Sequence, residues 1–160
     1  MKNTKIKNLA IIGRTKTLYQ TTKILKEKGF NIKIIITSLP SDYDSITTNN
    51  FKNLAKKLNA KFFLTKNIND RKIQHQIKIA NIELGISVNN PLLLSKKTLS
   101  MFKFGVLNLH AGDLPRYRGN ATANWAILND EKKIVLTVHK MDQELDSGDI
   151  VIQENFLINK

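Results

Sequence analysis

Short apolar runs alternate with stretches of helical periodicity along this chain, and that alternation restricts the fold more than any other feature. NLAIIG (residues 8–13), NIKIIIT (31–37), AKFFLT (60–65), IELGISV (82–88) and FGVLNLH (104–110) are brief apolar runs that read as strands, NIKIIIT being the richest in β-branched residues. Residues 17–30 separate the first two runs, with Leu18, Thr21, Thr22 and Leu25 at helical spacing and Gly29 placed to stop the helix. Residues 38–50 are rich in turn formers and read as a loop. Residues 51–58 look helical. So do residues 69–81, with Asn69 or Asp70 as N-cap and apolar positions at Ile73, Ile77 and Ala80. Residues 92–102, after Pro91, and residues 120–129 read as two further short helices. Strands separated by helices of this length need crossovers, which predicts an α/β fold with a mostly parallel sheet and helices on both faces. KKIVLTVHKM (132–141) and DIVIQENF (149–156), joined by the polar loop DQELDSG, are expected to close it as a hairpin or mixed edge.

Composition narrows the class. A chain of 160 residues with 41% hydrophobic content can build one domain with a real core, so residues 1–160 are expected to form a single domain. The sequence has no cysteine, which excludes disulfides and thiolate metal sites. No apolar run approaches the roughly 18 residues of a membrane span. The basic start MKNTKIKNLAIIG is too short in its apolar part for a secretory signal, and reads as the first strand of a cytoplasmic domain. The formal charge of +13 would attract phosphates. The lysines are nevertheless spread along the chain without interleaved aromatics, beside an abundance of Asn and Ile that points to genome base composition. The charge suits an RNA partner or an anionic small substrate.

Phosphate-binding motifs are missing from the first βα turn. IIGRTKTLYQ holds a single glycine, with neither GxGxxG nor GxxxxGK[ST], so a dinucleotide site or a P-loop is not expected. The densest stretch is NLHAGDLPRYRG (108–119). In a strand, Val106, Asn108 and His110 share one face, with Asn108 and His110 about 6–7 Å apart. Asn is a weak metal ligand and no second His or Cys adjoins, so no metal is expected. The pair suits catalysis: an amide donates to a developing oxyanion, and an imidazole moves a proton. The plainer alternative is a strand-end histidine bonded to backbone. Asp146, in LDSGD, is the natural third member, able to orient His110. Asp142, Glu144 and Asp149 lie close by, and spacing does not choose among them. His75 and His139 read as solvated or structural.

NLHAGDLPRYRG followed by HKMDQELDSGDI closely resembles the signature of the folate-dependent formyltransferases. That family carries Asn-x-His at a strand end, an LP-(R/K)-aromatic-(R/K)-G loop, and later an Asp in a D-(T/S)-G turn. The matching positions are Asn108 and His110, Leu114 to Gly119, and Asp146, with the match strongest over residues 104–150. The resemblance implies a Rossmann-like catalytic domain that transfers a formyl group from 10-formyltetrahydrofolate to a primary amine, without a metal. Asn108 and protonated His110 would stabilise the oxyanion, and Asp146 would support His110 and proton removal from the nitrogen. The pterin would bind at Asn90, Pro91, Leu92 and Leu93, and at the loop carrying Asp142 and Asp146. Asn90-Pro91 stands where the family often has an aromatic-Gly pair.

Three acceptor branches compete. IIGRTKTLYQ lacks the Gly/Ser-rich loop of the purine-synthesis branch, which ranks last. Initiator-tRNA formylases usually show Ala-Pro after the loop glycine and carry a C-terminal RNA-contacting domain. GNATANWAILND, with Asn124-Trp125 early in its helix, and Gly13-Arg14-Thr15 look closer to enzymes that formylate nucleotide-linked amino sugars. The expected acceptor is therefore a nucleotide sugar, its amine site walled by Arg116, Tyr117, Arg118 and Asn124. Methionyl-tRNA is the alternative, and a non-catalytic folate- or RNA-binding module of the same fold is a third reading. Because such domains usually continue past this length, the chain is expected to be truncated at its C-terminal end or a minimal version.

Overall fold

The computed structural model describes residues 6–158. The first two strands begin where the apolar runs predict, and the later strands begin one or two residues inside theirs. β1 (Asn8–Gly13) is buried continuously from Leu9, and β2 (Asn31–Thr37) from Ile34 onward. Consecutive burial requires cover on both faces, as a parallel α/β sheet provides. α1 (Thr15–Glu27) starts earlier than its apolar spacing suggests and buries Leu18 and Thr22. It ends at Gly29, whose φ of +90° serves the Phe30 N–H to Leu25 O closure of a Schellman turn.

α2 (Thr48–Lys57) also begins ahead of the apolar pattern, because Thr47 and Asn50 form a capping box. It is followed by β3 (Lys61–Leu64) and α3 (Arg71–Ile79). Asp70, rather than Asn69, caps α3 by accepting from the Lys72 N–H at 2.7 Å. Asn69 instead pins the later segment, donating to Leu93 O and accepting from Ser95 N–H and Thr98 Oγ1. β4 (Leu84–Val88) leads into α4 (Lys96–Leu99), capped by Ser95 and shorter than residues 92–102 suggest, because Leu92 to Leu94 are not helical.

The chain divides into two compact units at Val106/Leu107. In the first, β1 to β4 are all parallel in the order β3-β2-β1-β4. The order reverses beside β1, and the carboxyl ends of β1 and β4 flank the resulting crevice, where such sheets place ligands. Gly13 is required there: a Cβ on it would stand 2.0 Å from Val88 O. The core consists of Leu9 to Ile12 and Ile34 to Ile36 with Leu18, Phe51, Ile73 and Ile77 from the helices.

The second unit holds the later part of β5 (Val106–His110), α5 (Thr122–Leu128), β6 (Lys133–Lys140) and β7 (Ile150–Leu157). β5 pairs antiparallel with β6, and β6 with β7, so the closing hairpin is present. α5 is shorter than the expected residues 120–129 and is entered through Ala121 in the left-handed conformation. Among the described residues no helix is long and apolar enough to cross a membrane.

Candidate active site

The β5–β6 register builds this site. Asn108 lies directly opposite His139, and His110 opposite Thr137. Opposed residues in an antiparallel pair share a face, so all four side chains project to the same side. The loop after His110 is fastened from below. Thr137 Oγ1, fully buried, donates to Gly112 O at 2.6 Å, and Gln153 Nε2 donates to both Leu114 O and Thr137 Oγ1 at 3.0 Å. Thr122 Oγ1 ties α5 to Ala111 O. These bonds satisfy buried carbonyls that a turning backbone would otherwise leave without partners.

His110 is 7% exposed, with an acceptor at each ring nitrogen. Nε2 donates to Tyr117 O at 2.7 Å, and Nδ1 stands 3.5 Å from Asp146 Oδ2. The ring lies over Gly112, where a Cβ would come within 2.5 Å of Nε2. Asp146 sits in the DSG turn with φ +49°, a left-handed conformation that Asp tolerates better than most residues. Gly148 in that turn is obligatory, since a Cβ there would reach 1.7 Å from Lys140 O.

The turn delivers the Asp146 carboxylate between two imidazoles, which cross at 89° with ring centres 6.3 Å apart. His139 Nε2 is 3.4 Å from Oδ1, and the Gly119 N–H donates to Oδ2 at 3.0 Å. Burial pushes this carboxyl upward, but the hydrogen bond with His139, the Gly119 amide and the two neighbouring imidazoles outweigh it and hold it below the ordinary value of about 3.8. Asp146 is thus set to stay ionised beside His110.

Asn108, His110 and Asp146 therefore stand together, and His139 joins them. The sequence alone marks His139 as structural or solvated. It is 1% exposed, with Nε2 facing Asp146 and lying 3.2 Å from Asn108 Nδ2. Its sequence signal was the pair Thr137 and His139 on the buried face of an otherwise apolar strand, which only the hairpin register turns into a location.

Residues 7–160 match the formyl transferase family. The chain belongs to that family. Methionyl-tRNA formyltransferase of Caldanaerobacter subterraneus subsp. tengcongensis is 26% identical over 156 residues, which cover 95% of this chain and 50% of that protein. The chain spans about half the length of the curated relatives it matches. Among solved structures, phosphoribosylglycinamide formyltransferase from Bacillus halodurans superposes with a TM-score of 0.77 at 19% identity, covering 96% of this chain and 81% of that one. A sugar 3N-formyl transferase, solved with dTDP and 5-N-formyl-THF, superposes with a TM-score of 0.67 at 21% identity, covering 96% and 53%. Both superpositions bear out the α/β formyltransferase fold.

The remaining residues expected from the formyl transferase resemblance fall in two places. In the second unit, Arg116 Nη2 bonds Glu131 Oε1 at 2.7 Å, and its guanidinium lies 4.9 Å from the Tyr117 ring centre. Tyr117 OH donates to the same Glu131 oxygen at 3.0 Å and accepts from Asn129 Nδ2. Arg118 and Asn124 are exposed, and their side chains make neither hydrogen bond nor ion pair among the described residues. Asp142 spends one oxygen on its own loop, accepting from Ser147 Oγ at 2.6 Å and Glu144 N–H at 3.1 Å. In the first unit, Asn90 to Leu93 follow the carboxyl end of β4. Asn90 takes both backbone groups of Leu92, donating to its carbonyl at 2.7 Å and accepting from its N–H at 3.1 Å. Pro91 and Leu93 are exposed, and Leu92 is half-buried.

Proposed function

We propose that this chain transfers a formyl group from 10-formyltetrahydrofolate to a primary amine. The observation that carries the reading is the Asn108, His110 and Asp146 arrangement: an amide and an imidazole on one strand face, with an ionised carboxylate against the imidazole. This donor set fits the co-substrate, because it pairs N–H donors for an oxygen gaining charge with a base for an amine proton. The co-substrate supplies a formyl carbon open to attack by a neutral amine.

Each residue then has a part. Asn108 and His110 donate N–H to the formyl oxygen as it gains negative charge. The His110 N–H assigned to this is the one that now meets Tyr117 O. Asp146 orients the His110 ring and supports proton removal from the attacking nitrogen; the new C–N bond replaces the bond between the formyl carbon and N10 of the folate, which leaves as tetrahydrofolate carrying that proton. The pterin is assigned to Asn90, Pro91, Leu92 and Leu93 and to the loop bearing Asp142 and Asp146. Engaging the Leu92 N–H there requires its release from Asn90 Oδ1, whereas the Leu92 carbonyl keeps a second lone pair for a ligand.

For the acceptor, a nucleotide-linked amino sugar is the first reading, supported by Gly13-Arg14-Thr15 and by the exposure of Asn124 and Trp125, which is 56% accessible. Arg118, exposed and unpaired among the described residues, suits its phosphates. Methionyl-tRNA is the second reading, favoured by the formyltransferase relative named above and by the net charge of +13.

The test is incubation with 10-formyltetrahydrofolate and a panel of amines, following tetrahydrofolate release. His110→Ala and Asn108→Ala are each expected to lose at least ~100-fold in turnover. Near-parental activity in either variant refutes the mechanism. Discrimination between initiator and elongator tRNAs selects the tRNA reading, and folate binding without turnover on any amine leaves the binding module.

A further inference from the structure

His139 is a buried titratable side chain that the formyl-transfer reading leaves without a part. Its Nε2 is 3.4 Å from Asp146 Oδ1 and 3.2 Å from Asn108 Nδ2. Its Nδ1 is buried with no hydrogen-bond partner among the described residues. A neutral imidazole has one ring proton to place. On Nδ1 it would be a buried N–H without an acceptor, and the Nε2 lone pair would face an ionised carboxylate. On Nε2 it is donated to Asp146, and only a lone pair is left unpaired. The hydrogen bond with His139 is also among the causes that hold the Asp146 carboxyl low.

With the proton on Nε2, an Asn108 NH2 turned toward the ring would set donor against donor. A half-turn of the terminal amide places the oxygen there instead, with no change in shape. The N–H of His139 is then shared between Asp146 Oδ1 and Asn108 Oδ1, and the Asn108 NH2 is released from the ring.

We propose that His139 is a positioning residue which, by donating Nε2–H to Asp146, turns the Asn108 amide so that its oxygen faces the imidazole and its NH2 is presented to the reacting group. The amide end that would repel a developing oxyanion is thereby occupied, and the end that stabilises one is free. The single ring that orients Asn108 also holds Asp146, so both flanks of His110 are set by one side chain. The kinetic part of this proposal rests on the formyl-transfer reading; the proton placement does not.

Two measurements test it. Two-bond 1H–15N correlation of the 15N-labelled protein near neutral pH reports the ring tautomer directly. The expected pattern for His139 is Nε2–H; an Nδ1–H pattern overturns the proposal whether or not the protein transfers formyl groups. The second compares His139→Phe, which keeps a ring without nitrogen, with His139→Gln, which restores an amide donor toward Asp146. In the amine-dependent release assay, Phe is expected to lower kcat by about 10-fold or more with the folate KM held within about 2-fold, the mark of an interaction made only in the transition state. Gln is expected to recover most of that loss. Parental kcat in the Phe variant, or a change confined to KM, overturns the proposal. If the parent accepts no amine, the formyl-transfer reading fails while the tautomer still decides the proton placement. The tautomer also decides it if the Phe variant does not fold.

Discussion

Gly112 is the position at which a single added carbon most directly disturbs the candidate site. A Cβ there would stand 2.5 Å from His110 Nε2, 2.5 Å from Tyr117 O and 2.9 Å from His110 Cδ2. Ordinary carbon contacts are about 3.5–4.0 Å, so the ring or the loop must retreat by about 1 Å. Tyr117 O is backbone, in a loop held by the Thr137 and Gln153 bonds, so the ring is the part that moves. Its retreat breaks the 2.7 Å bond from His110 Nε2 to Tyr117 O. Overpacking costs about 1–3 kcal/mol, and losing a buried hydrogen bond about 1–3 kcal/mol. The two overlap, and Gly112→Ala is expected to cost about 2–4 kcal/mol. At about 2–4 °C per kcal/mol for a chain of this size, the midpoint falls by about 5–15 °C. Urea and thermal denaturation of Gly112→Ala, His110→Ala and the double variant isolate the ring's share. With the imidazole gone only the Tyr117 O clash remains, so the substitution should cost at least about 1 kcal/mol less in the His110→Ala background. Equal costs in the two backgrounds would show that Gly112 does not make room for His110.

Other substitutions probe the same frame. Asp146→Asn keeps a residue that tolerates φ +49° but removes the charge. The folded pKa of Asp146 lies below its unfolded value, so its stabilisation is present above about pH 3.9 and is lost as pH falls through the lower folded value. The stability difference between parent and variant should therefore shrink on acidification in that window, and parallel acid limbs would sink the claim. Glu131→Gln weakens the acceptor shared by Arg116 and Tyr117, at an expected cost of about 1 kcal/mol. In the amine assay it should raise the acceptor KM with little change in kcat, and an unaltered KM would remove this loop from the amine site. Gly148→Ala puts a Cβ 1.7 Å from a backbone oxygen, so the DSG turn must open. A variant as stable as the parent in denaturation would contradict that geometry.

Much of this was legible in the order of residues. The two-face burial of β1 and β2 follows from unbroken apolar runs, and Gly29 ends α1 because no other residue takes φ +90° as easily. Side chains rather than apolar spacing start α2, and they decide between the two N-cap candidates of α3 in favour of Asp70. The Thr47/Asn50 box opens α2 before its first apolar residue, and Asn69 was drawn away from α3 by partners 24 to 29 positions further on. At the site, period-two alternation put Asn108 and His110 on one face. It could not choose Asp146 from its acidic neighbours, a choice that came from family resemblance.

By itself, then, the sequence determined the α/β class, the strand that carries Asn108 and His110, and the turn that carries Asp146. These depend on local periodicity and backbone freedom, which act over a few residues. Tertiary structure alone decided what surrounds them. The antiparallel register brought His139 opposite Asn108 across 31 positions of chain, and the DSG turn set a carboxylate between two imidazoles. Strand register is fixed by how whole strands bury their faces against one another, so no local pattern could report it. The same long-range pairing gave His139 a part in the site.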